Sequence, residues 1–417
     1  MGIDHSVSFY GFVDAISETL DLGAPTLVDH HKKVAYISWR IAQKLCLPES
    51  EIQDIVLAAK LHDIGAFSLE DRVRALLRES SDRLSYYASL GAKLLAGFQP
   101  LAQAAKLICF HHAPYDPSHD VPLGSYIINL AFRVSLLIDD QSEILGQVRD
   151  IVSLVSASAH NYHPKVLAAF HNLAREDFFW IEVSDAVIHS ALLKRINFAQ
   201  ESFSIETLTS FARVICGLID FRSPFTSSHS NGVAAVATEM ARLSGFSDHQ
   251  CELITISGWL HDLGKITVPN RILEKPTRLN AEEFNIVKRH AYYTYAVLGS
   301  IHGLENIAVW ASHHHERMDG SGYPFGASGI EFNPLSQTMA CADMFTAMAE
   351  DRPYRLGLSK DVIIGNLNHI AERGSISPEI VSIATREYNH LNEIRINAQC
   401  ESQKAYYRLF QENGSSG

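Results

Sequence analysis

Residues 205–221 read IETLTSFARVICGLIDF. Ile205, Leu208, Phe211, Ile215, Leu218 and Ile219 recur at spacings of three and four, the period of a helix with one apolar face. Further on, Asp248 to Glu252 (DHQCE) opens a second apolar-periodic stretch, and Asp248 suits its N-terminal cap. Alternating strand patterns with hairpin turns are scarce, and no strand–helix–strand rhythm occurs. The expected fold class is all-α.

Working outward, the same stretch occurs twice. Phe12, Ile16 and Asp21 recur as Phe211, Ile215 and Asp220, each 199 residues on. His30, Val34 and Ala35 recur as His229, Val233 and Ala234, and Leu61-His62-Asp63 with Gly65 recurs as Leu260-His261-Asp262 with Gly264. His111-His112 recurs as His314-His315 at an offset of 203, which a four-residue insertion explains. Late in each copy stand His163-Pro164 and Ser377-Pro378, with proline suited to the first turn of a helix. Two copies predict two tandem helical domains related by internal duplication, 1–200 and 201–417, with the junction near 196–206.

Composition agrees. With 417 residues, 47% of them hydrophobic and 20% charged, the chain has the make-up of a globular protein longer than one ordinary domain. The net charge of −12 argues against a nucleic-acid polymer as partner, although a metal or a few local cations can still hold a small anion. The six cysteines show no CxxC spacing and read as reduced thiols. No apolar run is long enough to span a membrane, and the start, MGIDHSVSFYGF, lacks a leader pattern. The expectation is a cytoplasmic protein with no membrane partner.

Histidine is unusually frequent at 21 residues, and its placement in the second copy carries chemistry. His229, His261, Asp262, His290, His314, His315 and Asp343 are too many donors for one tetrahedral site. They fit a two-metal centre in which a carboxylate bridges and positions stay open for water. Imidazole and carboxylate without clustered thiolates suit Fe, Mn, Co or Zn.

The second copy resembles the HD-GYP family, a branch of the HD phosphohydrolase superfamily. The resemblance is carried by HDLGKI (His261–Ile266), PNRILEKP (Pro269–Pro276), His290-Ala291, HHERMDGSGYP (His314–Pro324), Ala342-Asp343 and Arg352-Pro353-Tyr354-Arg355, over about residues 206–390. It implies a metal-dependent phosphodiesterase that opens a 3′,5′-cyclic dinucleotide, cyclic di-GMP or 3′3′-cyclic GMP-AMP, to a linear dinucleotide in second-messenger signalling. Residue by residue, it implies one metal on His229, His261, Asp262 and Asp343, and another on Asp262, His290, His314 and His315, with Asp262 bridging. Iron or manganese is the first expectation, with nickel, cobalt or zinc as others. Lys265 would sit near the scissile phosphate, with Asp262 and Lys265 the catalytic pair. Arg352 and Arg355 would grip ligand phosphate together with Lys265. Gly320, Gly322, Tyr323 and Pro324 form the signature loop, read as structural or partner-facing. The mechanism implied is attack of a metal-bound hydroxide on phosphorus, with Lys265 stabilising the phosphoryl charge.

The chain departs from the family at several positions. Phe225 stands where some members place a third-metal glutamate, which predicts a dinuclear site. Ala291, Thr294 and Thr346 replace a common proline, glycine and aspartate, and His313 is read as an ordinary histidine. The first copy keeps His30, His62, Asp63, His111 and His112. It has Tyr87 in place of His290, Ala66 in place of Lys265, Ala113 in place of Glu316 and Phe132 in place of Asp343, and it lacks Gly-Tyr-Pro. It is therefore expected to be a degenerate HD domain kept for packing, dimerisation or regulation, and to bind metal poorly. The alternative function is a catalytically weak cyclic-dinucleotide sensor acting through a signalling partner at the Gly-Tyr-Pro loop. A nucleotide triphosphate or alarmone hydrolase is a third reading. A homodimer is compatible with all of them.

Overall fold

The computed structural model describes residues 7–22, 28–76, 81–185, 195–196, 198, 202–222, 227–329, 332–351 and 356–411. Phe225, Arg352 and Arg355 lie outside these residues, so the expectations placed on them concern positions the structure does not describe. The fold is all-α. Among the described residues, strand is confined to the dipeptides Val7–Ser8 and Ser202–Phe203.

The chain divides into two compact units, one of Ser8–Glu201 and one of Met1–Val7 with Ser202–Gly417. The first contains, in order, helices Phe9–Asp21, His30–Lys44, Glu49–Lys60, Leu69–Leu76, Ser81–Ala96, Ala102–Phe110, Leu123–Ser135, Ile144–Ala157, Pro164–Leu173 and Asp177–Ser184. The second contains Ile205–Asp220, His229–Leu243, Asp248–Leu260, Ala281–Gly299, Glu305–Ser312, Pro334–Ala349, Lys360–Glu372, Pro378–Arg386 and Tyr388–Gln411, with short turns of helix at Leu263–Thr267, Asn270–Leu273 and His313–His315.

Local chemistry sets these boundaries. The Ser204 hydroxyl accepts from Thr207 N and opens Ile205–Asp220. Leu208, Phe211, Ile215, Leu218 and Ile219 are buried along it, and Ile205 is half-buried. Each fully buried side chain of this size contributes roughly 1.5–3 kcal/mol. One expectation needs correcting at the next helix. Ser247, not Asp248, caps Asp248–Leu260, in a reciprocal pair with Gln250. A hydroxyl reaches back to the N3 amide readily, and Asp248 instead occupies the first turn, where its charge suits the helix dipole. Pro164 and Pro378 sit at the starts of their helices, behind the caps His163 and Ser377.

In the second unit, Gly258 permits close crossing of His229–Leu243 and Asp248–Leu260, since a Cβ there would lie 2.5 Å from Ala234 Cα. Gly264 permits the same beside Ala281–Gly299, where a Cβ would lie 2.0 Å from the His290 carbonyl oxygen. These two contacts bring three candidate ligand segments to one place. The first unit repeats the second contact, with Gly65 against the Tyr87 carbonyl at 2.1 Å. The Tyr87 and His290 carbonyls thus make the same kind of contact with a glycine in the two units.

Candidate metal centre

The site in the second unit is built from helix ends. His229 is the first residue of its helix, His261 and Asp262 follow the end of Asp248–Leu260, and His313–His315 is a turn closing Glu305–Ser312. His290 and Asp343 project from within longer helices. Helix ends leave backbone groups unpaired, and the histidines use them. His261 Nδ1 donates to the Gly258 carbonyl at 2.8 Å, His290 Nδ1 to Val287 at 2.6 Å, and His314 Nδ1 to Ala311 at 2.6 Å. With the proton held at Nδ1, each ring turns its Nε2 lone pair inward.

His229 is oriented differently. Its Nδ1 stands 3.0 Å from Glu350 Oε1, and Glu350 Oε2 accepts from Gln399 at 2.9 Å. Its Nε2 faces Asp343 Oδ1 at 3.2 Å. Asp220 fixes the start of the same helix by accepting from Ser230 N at 3.0 Å and Ser230 Oγ at 2.7 Å. Sequence reasoning missed Glu350 and Gln399. Neither belongs to a motif, and only the packing of the C-terminal helix brings Gln399 to the site.

The predicted residues converge in three overlapping groups, each with ligand atoms within 4.8 Å of one another: His229, His261 and Asp343; His261, Asp262 and His314; His290, His314 and His315. Asp262 lies between the outer two. Its Oδ2 is 3.2 Å from His261 Nε2 and its Oδ1 is 3.4 Å from His290 Nε2. His290 Nε2 and His314 Nε2 are 3.1 Å apart. All are buried except His315, which is half-buried.

Charge follows this geometry. Burial disfavours the Asp262 anion, but His261 and Lys265 outweigh it and hold the carboxyl well below its ordinary range. Asp343, also buried, is held well below its range by His229. Burial pushes His290 down to about 4 and His315 to about 3, and lowers His314 as well. At His261 burial pulls downward, but the Asp262 carboxylate wins and raises it. The centre therefore holds ionised carboxylates and, at His290, His314 and His315, neutral imidazoles, the states that ligate metal. His261 Nε2 and Asp262 Oδ1 are buried with no hydrogen-bond partner, and the donors are nitrogen and oxygen alone. This donor set fits divalent transition metals.

Lys265 is part-exposed, and its Nζ donates to Asp262 Oδ2 at 2.5 Å. It also lines a cleft of about 520 Å³ together with Ile272, Lys275, Arg278 and Val287. Lys275 and Arg278 carry cationic groups that the sequence reading did not select, although Lys275 lies within PNRILEKP. The signature loop folds about Glu316, which is fully buried and accepts from Phe325 N at 2.7 Å and Ala327 N at 2.9 Å. Gly322 passes so near that a Cβ would lie 2.4 Å from Glu316 Cα, and Gly320 has φ of +75°. The Tyr323-Pro324 bond is cis, and the Tyr323 ring packs 4.7 Å from the His315 ring. His313 packs against Phe325 with ring centres 5.4 Å apart. Thr294 accepts from Gly264 N at 3.0 Å and donates to the His261 carbonyl at 3.1 Å, bracing the His-Asp turn. Thr346 is buried one turn beyond Asp343.

The candidate ligands thus cluster at and beside helix ends. Residues 213–380 match the family described as HD domain. The chain is 26% identical over 415 residues, 95% of each chain, to the 3′3′-cGAMP-specific phosphodiesterase 1 of Vibrio cholerae serotype O1. It is 34% identical to the cyclic di-GMP phosphodiesterase response regulator RpfG of Xanthomonas campestris pv. campestris, over 50% of this chain and 54% of that protein. Among solved structures, a cyclic GMP-AMP specific phosphodiesterase of V. cholerae, V-cGAP3, superposes with a TM-score of 0.64 at 20% identity. That match covers 92% of this chain and 98% of the other, and it shows the shared fold.

Proposed function

We propose that this protein is a metal-dependent phosphodiesterase that hydrolyses a 3′,5′-cyclic dinucleotide, cyclic di-GMP or 3′3′-cyclic GMP-AMP, to a linear dinucleotide. The observation that carries the reading is the position of Asp262. It lies between two histidine groups, with a buried oxygen lacking any hydrogen-bond partner, beside a cleft lined by Lys265, Lys275 and Arg278. The names of the relatives above supply the substrate class.

His229, His261, Asp262 and Asp343 would hold one divalent ion, and Asp262, His290, His314 and His315 a second. When bound, the pair would supply an activated water and neutralise phosphate charge, with iron or manganese the preferred metals. The chain's own part is preparation. The outward Nδ1 protons keep the Nε2 atoms of these imidazoles facing inward. Lys265 brings a positive charge to the phosphoryl group as it gains charge in the transition state. Arg278 extends that field along the cleft, which suits an anionic ligand, beside Lys275, whose Nζ is paired with the Glu283 carboxylate at 2.6 and 2.8 Å. Glu316 and Gly322 hold Tyr323 over His315 and so fix the open side of the cluster. The parallel helix starts and the paired glycine contacts at Gly65 and Gly264 support a duplication, with the first unit a non-catalytic partner.

Protein loaded with manganese or iron, incubated separately with cyclic di-GMP and 3′3′-cyclic GMP-AMP, should yield a linear dinucleotide from at least one. Binding of either nucleotide without product formation would favour the sensor reading instead.

A further inference from the structure

The sequence marks the first unit as a relic, yet its five retained residues form a cluster of their own. His30, His62 and Asp63 bring ligand atoms within 4.8 Å of one another, and Asp63, His111 and His112 do the same, with Asp63 common to both groups. All five are buried.

The protons of three of these histidines are directed outward. His62 Nδ1 donates to the Ala59 carbonyl at 2.8 Å, and His111 Nδ1 to Ile108 at 2.7 Å. Ser135 gives its hydroxyl proton to the Phe132 carbonyl at 2.8 Å, so it accepts from His30 Nδ1 at 3.2 Å. Each of these rings then presents an Nε2 lone pair to the interior. His30 Nε2 and His62 Nε2 face each other at 3.3 Å, and His62 Nε2 faces Asp63 Oδ2 at 3.2 Å. Asp63 Oδ2, His111 Nε2 and His112 Nδ1 are buried without hydrogen-bond partners. Buried imidazole nitrogens and a carboxylate oxygen without hydrogen-bond partners are costly unless a cation fills the space between them. Arg72 is fully buried and adds positive charge near Asp63.

We propose that the first unit holds one divalent transition-metal ion of the zinc, cobalt or iron class, against Asp63 and the imidazoles of His30, His62, His111 and His112. The surroundings make this a closed site. Tyr87, which stands in place of His290 in the sequence repeat, turns its hydroxyl to Asp71 at 2.8 Å. The Phe132 ring lies 5.5 Å from His30 and His62 and 5.1 Å from His112, occupying the space a second ion and its waters would need. No lysine corresponds to Lys265. A metal site without open positions or a phosphate-facing cation is structural or regulatory, not hydrolytic.

The test is metal counting on the full chain. Protein stripped with chelator, reloaded with Co(II) or Zn(II) and freed of excess metal is analysed by mass spectrometry of the elements. His111→Gln with His112→Gln, which preserves volume, should lower the content by about one equivalent per chain relative to the unsubstituted protein. His62→Ala with Asp63→Ala should give the same loss. The loss should recur when His261→Ala and Asp262→Ala are already present, which separates this site from the one in the second unit. Circular dichroism identifies any variant that fails to fold, and the glutamine pair then decides. Unchanged metal content in the folded glutamine variant would overturn the proposal, whatever the hydrolysis assays show.

Discussion

Lys265 and Asp262 are bound to each other at 2.5 Å, and the whole account turns on what each does when a phosphate and metals arrive. The lysine is part-exposed, while the carboxylate it pairs with is buried. Lys265→Ala should lower kcat roughly 10²–10³-fold, in line with the loss of one transition-state donor. A wild-type kcat in that variant would remove Lys265 from the mechanism. His290 gives a pH prediction. Burial holds its folded-state value to about 4, below the ordinary 6.5, so between those values the unfolded chain binds a proton that the folded chain does not. Its contribution is full above the ordinary value and is lost as pH falls through this window, by up to about 1.4 kcal/mol per pH unit. His314 and His315 act in the same sense, and His261, whose value is raised, opposes them. The melting temperature of chelator-treated protein should therefore fall as pH is lowered from neutrality toward 4, and a rise over that range would contradict the charge states assigned. The seven candidate ligands were legible in the sequence because their order and spacing are distinctive. Glu350 and Gln399 were not, because they reach His229 only through tertiary packing.

At the scale of elements, the site depends on how closely helices approach. Gly264 lies against the backbone of His290, and Gly264→Ala would push a ligand helix away from Asp262. That variant should lose metal affinity and activity together, with a stability cost of about 1–3 kcal/mol for overpacking, measurable by denaturant unfolding. Unaltered affinity would show that the helix has more freedom than the contact suggests. Glu316 plays the corresponding part in the signature loop. Glu316→Ala leaves the amides of Phe325 and Ala327 without their acceptor and should cost about 1–3 kcal/mol for the buried groups. The helices themselves were readable from periodicity and caps, with the cap at Ser247 displaced by one residue from the expected Asp248. What periodicity could not supply was the role of Thr294. In place of a common glycine, it braces the His-Asp turn through two hydrogen bonds that join segments distant in sequence.

Across the whole molecule, the repeat at 199 residues was visible because histidine and aspartate pairs survive in both copies. The state of the first copy was less visible. Substitution by Tyr87, Ala66 and Phe132 reads as decay, but four buried imidazoles still stand with a buried carboxylate, in two groups that share Asp63. The two clusters thus have different destinies in the same fold: one borders a cationic cleft, and the other is sealed by an aromatic ring. The measurement that tests the central claim most directly compares cyclic-dinucleotide hydrolysis by metal-loaded protein carrying His261→Ala and Asp262→Ala with hydrolysis by protein carrying His111→Gln and His112→Gln. Loss of linear product in the first variant, with helicity retained, and turnover persisting in the second is the predicted result. Undiminished turnover in the first variant would contradict the assignment of the active site to the second unit.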